Sequence, residues 1–129
     1  MSLGKESLAR LSTCHDDLQA LIRDVSERID AGDLFVAGIR DITVVCGHRG
    51  KADQNRAFLD GKSKLDWPHS KHNRTPSLAV DIAPYPIDWK DTGAFMVLRG
   101  FVLARAAVLG LKVGVISWDG PHYQLNNAT

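Results

Sequence analysis

Residues 78–83 read Leu-Ala-Val-Asp-Ile-Ala, an apolar stretch with a single carboxylate near its middle. In a strand, Leu78, Val80 and Ile82 share one face, and Asp81 lies on the other between small alanines. A carboxylate is costly to bury unless a cation or strong hydrogen-bond donors accompany it. The stretch therefore predicts a buried strand in which Asp81 binds a cation, pairs with an arginine or caps a nearby loop.

Helical and strand patterns surround this segment on both sides. Apolar residues recur at three- and four-residue spacing between Leu8 and Ile29, which predicts one amphipathic helix at about 5–31. The other predicted elements are a strand at 42–47, a helix at 51–60, a loop at 62–77, a helix at 91–109, and strands at 111–117 and 122–125 joined by a turn at 118–121. We expect an α+β protein with a small, mostly antiparallel sheet flanked by helices.

Length and composition restrict the classes of protein that fit. A chain of 129 residues is the size of one ordinary domain, so we expect a single domain at 1–129 with its catalytic core at about 42–125. Sixteen Lys and Arg against fifteen Asp and Glu give no broad attraction for nucleic acid or anionic membranes. Apolar runs of membrane-spanning or signal-peptide length are absent from the sequence, which predicts synthesis in the cytoplasm. Cys14 and Cys46 match no disulfide or zinc spacing and are expected to be reduced, buried thiols.

Three segments each place a potential metal ligand inside a strand or at its end. They are Ser70-Lys71-His72, Ala79-Val80-Asp81 and Asp119-Gly120-Pro121-His122. Two histidines and one carboxylate form a complete protein ligand set for a catalytic zinc ion, which keeps a fourth position for water. Taken alone, His72 would be a solvated loop residue and His122 a hydrogen-bonded core residue. Only the combination indicates a metal site.

The order and spacing of these residues resemble the signature of the LAS-type zinc peptidases, also called the M15 family, over roughly residues 44–125. The matching positions are Ser70-x-His72, Ala79-x-Asp81 and Asp119-x-x-His122. Members of that family include D-alanyl-D-alanine peptidases, carboxypeptidases and the L-alanyl-D-glutamate endopeptidases that bacteriophages use as endolysins. The resemblance implies a D-Ala-D-Ala peptidase/hedgehog-like fold and one zinc ion held by His72, Asp81 and His122.

The same resemblance implies roles for residues around the metal. Asp119 would be the general base, and Arg49, just after the first strand, would face the developing oxyanion. Without the resemblance, Asp119 would be a turn residue and Arg49 part of a surface ion pair. Substrate contacts are expected at Ser70, His69 and Gln54.

The sequence departs from the usual pattern of the family, which is Ser-x-His-x-x-Gly-x-Ala-x-Asp. His72 and Asp81 are nine positions apart and the glycine is missing, so a wider loop is expected at 73–77. The Gly61-Lys62-Ser63 stretch and the long loop that follows it are more similar to the phage endopeptidases than to the dipeptidases.

The resemblance implies a monomeric zinc enzyme that cuts the L-Ala-D-Glu bond of peptidoglycan as a phage or prophage endolysin. A holin would release it from the cytoplasm to the wall in the periplasm, and neither a nucleic-acid partner nor stable membrane association is expected. The nearest alternative is a D,D- or L,D-carboxypeptidase that acts on stem-peptide termini. Two alternatives from other classes are a metal-dependent nuclease and a wall-binding domain that keeps zinc without catalysis.

Overall fold

A four-stranded antiparallel sheet forms the centre of the described part of the chain. The computed structural model describes residues 3–116 and 119–126, and only the backbone of Asp119. The helices are α1 (Lys5–Leu11), α2 (Asp16–Asp30), α3 (Lys51–Leu59) and α4 (Thr92–Val108), with a 3₁₀ helix at Lys71–Asn73. The strands are β1 (Ile42–Cys46), β2 (Ala79–Pro84), β3 (Val113–Ile116) and β4 (Asp119–Leu125). The predicted α+β class is confirmed.

The strand order β1-β2-β4-β3 places β2 and β4 in the middle of the sheet. All three neighbouring pairs are antiparallel, although β4 follows β3 in the sequence and still separates β3 from β2. The register sets Asp81 of β2 opposite His122 of β4. Two side chains that are 41 positions apart in sequence, the difference between 81 and 122, thus become neighbours on one face.

The two faces of the sheet differ in character. One face contributes Val80, Ile82, Tyr123 and Leu125 to the hydrophobic core, where α2 and α4 pack. The helices bury stripes at three- and four-residue spacing, consisting of Leu18, Leu21, Ile22, Val25 and Ile29 in α2 and of Phe95, Leu98, Val102 and Ala106 in α4. The opposite face of the sheet carries Asp81 and His122. Within the described ranges, the helices are all too short or too polar to cross a membrane.

A β-bulge near the end of β1 changes the face on which the strand presents its side chains. Val44 pairs with Ile82 on the core face, but the register shifts after Val44 and Cys46 pairs with Asp81. The extra residue, Val45, moves Cys46 onto the Asp81 face. Cys46 is therefore half-buried beside the candidate site and is not the core residue that we expected.

The prediction of one helix at about 5–31 is wrong, because residues 12–15 separate α1 from α2. The backbone of this break pairs with a distant loop: Ser77 N–H donates to the Thr13 carbonyl at 2.9 Å, and His15 N–H donates to the Ser77 carbonyl at 2.9 Å. The His15 ring then caps α2. Apolar spacing continues across the break, so periodicity alone does not reveal it.

The predicted turn at 118–121 is also wrong in its position. The fourth strand begins at Asp119, whose backbone pairs with Ile116 of β3, so residues 119–121 belong to the strand. Residues 117–118 of the predicted connection lie outside the described residues. Asp-Gly-Pro favours turns locally, but the pairing of Asp119 with Ile116 of β3 outweighs that preference.

Candidate active site

Three buried side chains converge on the sheet face opposite the core. His72, Asp81 and His122 are 2%, 8% and 4% exposed. One carboxylate oxygen, Oδ1 of Asp81, lies 3.1 Å from Nε2 of His72 and 3.3 Å from Nδ1 of His122. Each residue offers one ligand atom, and these three atoms all lie within 4.8 Å of one another. The structure thus brings together the three residues that the sequence proposed as ligands.

This spacing fits a metal ion. Two ligand atoms at 2.0–2.1 Å from one tetrahedral zinc ion are about 3.4 Å apart. The two separations measured from the Asp81 oxygen are close to that value. The group could therefore bind a metal ion through three protein ligands and leave a fourth position open.

Hydrogen bonds on the far side of each ring fix the orientation of both imidazoles. Nδ1 of His72 lies 2.7 Å from the carbonyl oxygen of Gly47, and Nε2 of His122 lies 2.8 Å from Oε1 of Gln124. Both partners are acceptors, so each ring donates an N–H there and turns its other nitrogen toward Asp81. Outer hydrogen bonds of this kind are the usual support for histidine ligands of metals.

Local structure explains how His72 reaches the sheet. It lies in the 3₁₀ helix, where the Ser70 hydroxyl accepts from the His72 N–H at 3.2 Å and the Asn73 side chain accepts from the Ser70 N–H at 3.0 Å. Gly47 offers its carbonyl to the His72 ring, and its backbone lies where a Cβ would collide with the Arg10 carbonyl and the Thr13 hydroxyl, so this position requires glycine.

Electrostatics within the group favour an ionised carboxylate. Burial alone would raise the pKa of Asp81, but hydrogen bonds from His122 and His72 outweigh it and hold that pKa well below its usual range. Burial would likewise lower the pKa of His72, yet Asp81 and the nearby Cys46 thiol raise it to about 10. The carboxylate of Asp81 thus favours a positive charge beside it.

Arg49 lies beside this group, on the wall of the same cleft. Its Nη2 is 3.7 Å from Oδ2 of Asp81, and its Nη1 donates to Oε1 of Gln54 at 3.0 Å. Its backbone N–H donates to the His72 carbonyl at 2.8 Å, which ties the end of β1 to the 3₁₀ helix. The guanidinium is thus positioned next to the candidate metal site.

The remaining predicted residues occupy different surroundings. Ser70 and His69 line the cleft, the first buried and the second exposed, so their substrate contacts stay predictions. Gln54 is fully buried, and its amide is engaged with Arg49, Ser63 and Leu65, which makes it a support for Arg49 and for the loop. The side chain of Asp119, the predicted base, lies outside the described residues.

The wide loop at 73–77 keeps His72 and Asp81 in place through its anchors at both ends. Asn73 donates to the Arg49 carbonyl at 3.0 Å, and Ser77 pairs with the break between α1 and α2. Ser77 is fully buried, and its hydroxyl donates to the Ala79 carbonyl at 2.6 Å. These contacts hold the loop at its two ends, next to His72 and to β2.

The site opens into a cleft of about 1150 Å³ with two distinct walls. We call residues 62–71 the loop wall and the side chains of Trp89, Phe95, Met96 and Arg99 the helix wall. In the helix wall, the rings of Trp89 and Phe95 stack with centroids 5.6 Å apart, and Trp89 is 57% exposed. The loop wall carries lysines. The cleft is open enough to admit a peptide to the buried ligands.

Sequence reasoning missed five residues that shape this site. Gln124 follows His122 by two positions, so strand alternation could have placed it on the ligand face. Trp89 was detectable only as an aromatic residue outside the predicted helix. Residue spacing does not reveal the other three. Gly47 acts through a close backbone approach, Asn73 through a loop contact, and Cys46 through the bulge in β1.

The fold and the site together indicate the class of enzyme. A buried pair of histidines with one carboxylate, at the bottom of an open cleft with an arginine beside it, is the arrangement of a metal-dependent hydrolase. The sequence matches the phage L-alanyl-D-glutamate peptidase family over residues 1–125. The chain therefore belongs to that family, and it is a peptidoglycan endopeptidase. The predicted resemblance to LAS-type peptidases of the phage branch is confirmed.

The fold is also found in a solved structure. The crystal structure of the Serratia marcescens L-Ala D-Glu endopeptidase ChiX superposes with a TM-score of 0.69, covering 95% of this chain and 87% of that chain. Sequence identity between the two is 24%, so this likeness establishes a common fold. No curated protein sequence matches the chain.

Proposed function

We propose that this chain hydrolyses the L-Ala-D-Glu bond of peptidoglycan stem peptides with one zinc ion held by His72, Asp81 and His122. The observation that carries the proposal is the position of Oδ1 of Asp81, which two oriented imidazoles contact at the spacing of ligands around one ion. Membership of the family supplies the substrate class.

Zinc, when bound, would supply Lewis-acid polarisation of the scissile carbonyl and lower the pKa of water. The ligands of this chain suit that task because they contribute one negative charge, from Asp81, and leave most of the ion's charge uncompensated. The carbonyl of Gly47 and the amide of Gln124 keep His72 and His122 oriented before substrate arrives. The site is therefore preorganised, which lowers the reorganisation needed during reaction.

Arg49 stabilises the negative charge that develops on the carbonyl oxygen of L-alanine when water attacks. A guanidinium combines a positive charge with several hydrogen-bond donors in a fixed plane. The hydrogen bond to Gln54 holds one end of this group, which leaves the cleft-facing donors for substrate.

Asp119 accepts the proton of the attacking water and returns it to the amine of D-glutamate as the carbon–nitrogen bond breaks. Support for this role comes from its place in the strand, at the start of β4 and three residues before His122. Family membership further supports a monomer that reaches the wall from the cytoplasm after release by a holin.

Digestion of purified sacculi tests the proposed reaction. We expect mass spectrometry to find new free carboxyl groups on muramyl-linked L-alanine and new free amino groups on D-glutamate. Chelation should stop the digestion and added zinc should restore it. Release of D-alanine alone would contradict the proposal and indicate a carboxypeptidase.

Ligand variants test the site itself. His72→Ala should lose zinc, measured by elemental analysis after dialysis, because three protein ligands become two. His48→Ala is the matched control, since His48 is exposed and its ring contacts the Arg74 carbonyl. Asp119→Ala should keep zinc and fold but lose more than about a hundredfold in turnover. Full activity of Asp119→Ala would refute the assigned base.

A further inference from the structure

We propose that the loop wall makes the enzyme selective for stem peptides in which the second carboxyl group of D-glutamate is free, over peptides in which it is amidated. This inference rests on the proposed function and adds a preference for one wall chemistry. The residues that carry it are Lys62 and Lys64, which line the cleft on the exposed side of the loop.

The charge of the cleft differs sharply from that of the chain. The whole sequence is nearly balanced, with a formal charge of +1. Among the cleft-lining residues whose side chains are described, by contrast, the cations are Arg49, Lys62, Lys64, Lys71 and Arg99, and Asp81 is the carboxylate. Low-dielectric walls concentrate such a field, so this cleft attracts anions even before a metal adds further positive charge.

The loop wall is held in place by the interior of the protein. The buried Gln54 amide donates to the Ser63 hydroxyl at 3.0 Å and to the Leu65 carbonyl at 2.6 Å. Both acceptors are direct neighbours of the two lysines in the sequence. The backbone that carries Lys62 and Lys64 is thus fixed relative to Arg49, which bonds to the same amide group. Less conformational entropy is therefore lost when these lysines contact a bound substrate.

The substrate itself can carry a negative charge close to the scissile bond. D-Glutamate contributes its amine to the L-Ala-D-Glu bond and has two carboxyl groups. Only one of them can continue the peptide, so the other is an anion within a few bonds of the cut unless it is amidated. A cleft with excess lysine and arginine complements this anion, whereas an amide in the same place carries no charge.

Two synthetic stem peptides provide the test, identical except that the second carboxyl group of D-glutamate is free in one and amidated in the other. We expect the zinc-loaded wild-type enzyme to cleave the free form with a kcat/KM about tenfold higher, as two or three screened charge contacts would give. The preference should shrink in 0.5 M salt, because the Debye length falls to about 4 Å at that ionic strength and surface charges are then screened.

The double variant Lys62→Gln/Lys64→Gln should lose most of this preference, measured as the ratio of kcat/KM on the free and the amidated peptide. Lys5→Gln/Lys112→Gln removes two exposed lysines outside the cleft and is the matched control, which should keep the wild-type ratio. Equal cleavage of both peptides by the wild type, or an unchanged ratio in Lys62→Gln/Lys64→Gln, would overturn the inference alone. Cleavage of neither peptide by folded, zinc-loaded enzyme would overturn the proposed function as well.

Discussion

Asp81 occupies the most constrained position in the molecule. Its carboxylate sits in a buried strand, receives two imidazoles on one oxygen and has Arg49 3.7 Å from the other. An ionised carboxylate at this depth is stable only with such partners. Each histidine ring also has a hydrogen-bond acceptor on the side away from Asp81. The orientation of the two rings therefore depends on residues that are not themselves candidate ligands.

Gln124 offers a test of that dependence. Gln124→Leu removes the acceptor of the His122 ring N–H, which frees the ring to rotate, and we expect zinc affinity to fall roughly 10- to 100-fold. Competition with a fluorescent chelator would measure the change. Gln124→Glu keeps an acceptor in the same place and should retain near wild-type affinity. Equal weakening by both variants would show that the hydrogen bond is not the cause.

At the residue scale, much of the site could be predicted from the sequence because ligand chemistry is carried by residue type. An aspartate in an apolar strand and two histidines near strand ends are plausible ligands, and the resemblance to the LAS-type peptidases assigns them to one zinc site. The supports could not be predicted in the same way. Gly47 acts through its backbone carbonyl, and Gln54 acts from the interior, so neither has a side-chain signature of function.

Among the elements, α2 and α4 are joined by an ion pair that covers the edge of the core. Arg105 donates through Nε to Oδ2 of Asp24 at 2.7 Å and through Nη2 to Oδ1 at 3.1 Å. Bidentate geometry of this kind is the strongest arrangement available to arginine and a carboxylate. Because α4 also lies against β2, β3 and β4, this contact helps to fix the helix that forms one wall of the cleft.

Asp24→Asn should destabilise the protein at neutral pH, measured as a lower urea midpoint. The hydrogen bond from Arg105 holds the pKa of Asp24 below its usual value. A carboxyl with a lowered pKa contributes stability above its unfolded pKa of about 3.9, and this contribution is lost as the pH falls through the folded pKa. The gap between wild type and Asp24→Asn should therefore close in acid.

Asp33→Asn serves as the control for that experiment. Asp33 pairs with Arg28 at 3.9 Å in an exposed position, where ion pairs add little stability. Its midpoint should stay close to that of the wild type at every pH. A gap for Asp24→Asn that persists unchanged in acid would rule out the ion pair as the source of the stability.

At the element scale, sequence periodicity located most helices and strands. It did not reveal the helix break and the β-bulge, which set the direction of the neighbouring elements. The break at residues 12–15 arises from pairing with Ser77, and the β1 bulge arises from the fit of β1 to β2. Both are long-range effects, and local propensity does not contain them. The shift of β4 to Asp119 has the same origin.

In the whole molecule, the three candidate ligands lie on separate segments that only the folded chain brings together. A metal bound to all three should therefore stabilise the folded state selectively. At a free zinc concentration 100-fold above Kd, the expected gain is about 2.7 kcal/mol, which raises Tm by several degrees. Calorimetry with and without a chelator would measure it, and His72→Ala should show no zinc-dependent shift. A zinc-independent Tm in the wild type would argue against a site that closes on folding.

The central position of β4 in the sheet determines when the sheet can form during synthesis. This strand is the last of the four to leave the ribosome, yet it lies between β2 and β3 and brings His122 opposite Asp81. A nascent chain that has already produced β1, β2 and β3 holds two of the three candidate ligands and lacks a central strand of its sheet. An active wall-cutting enzyme therefore cannot form until β4 has been synthesised and has inserted between β2 and β3.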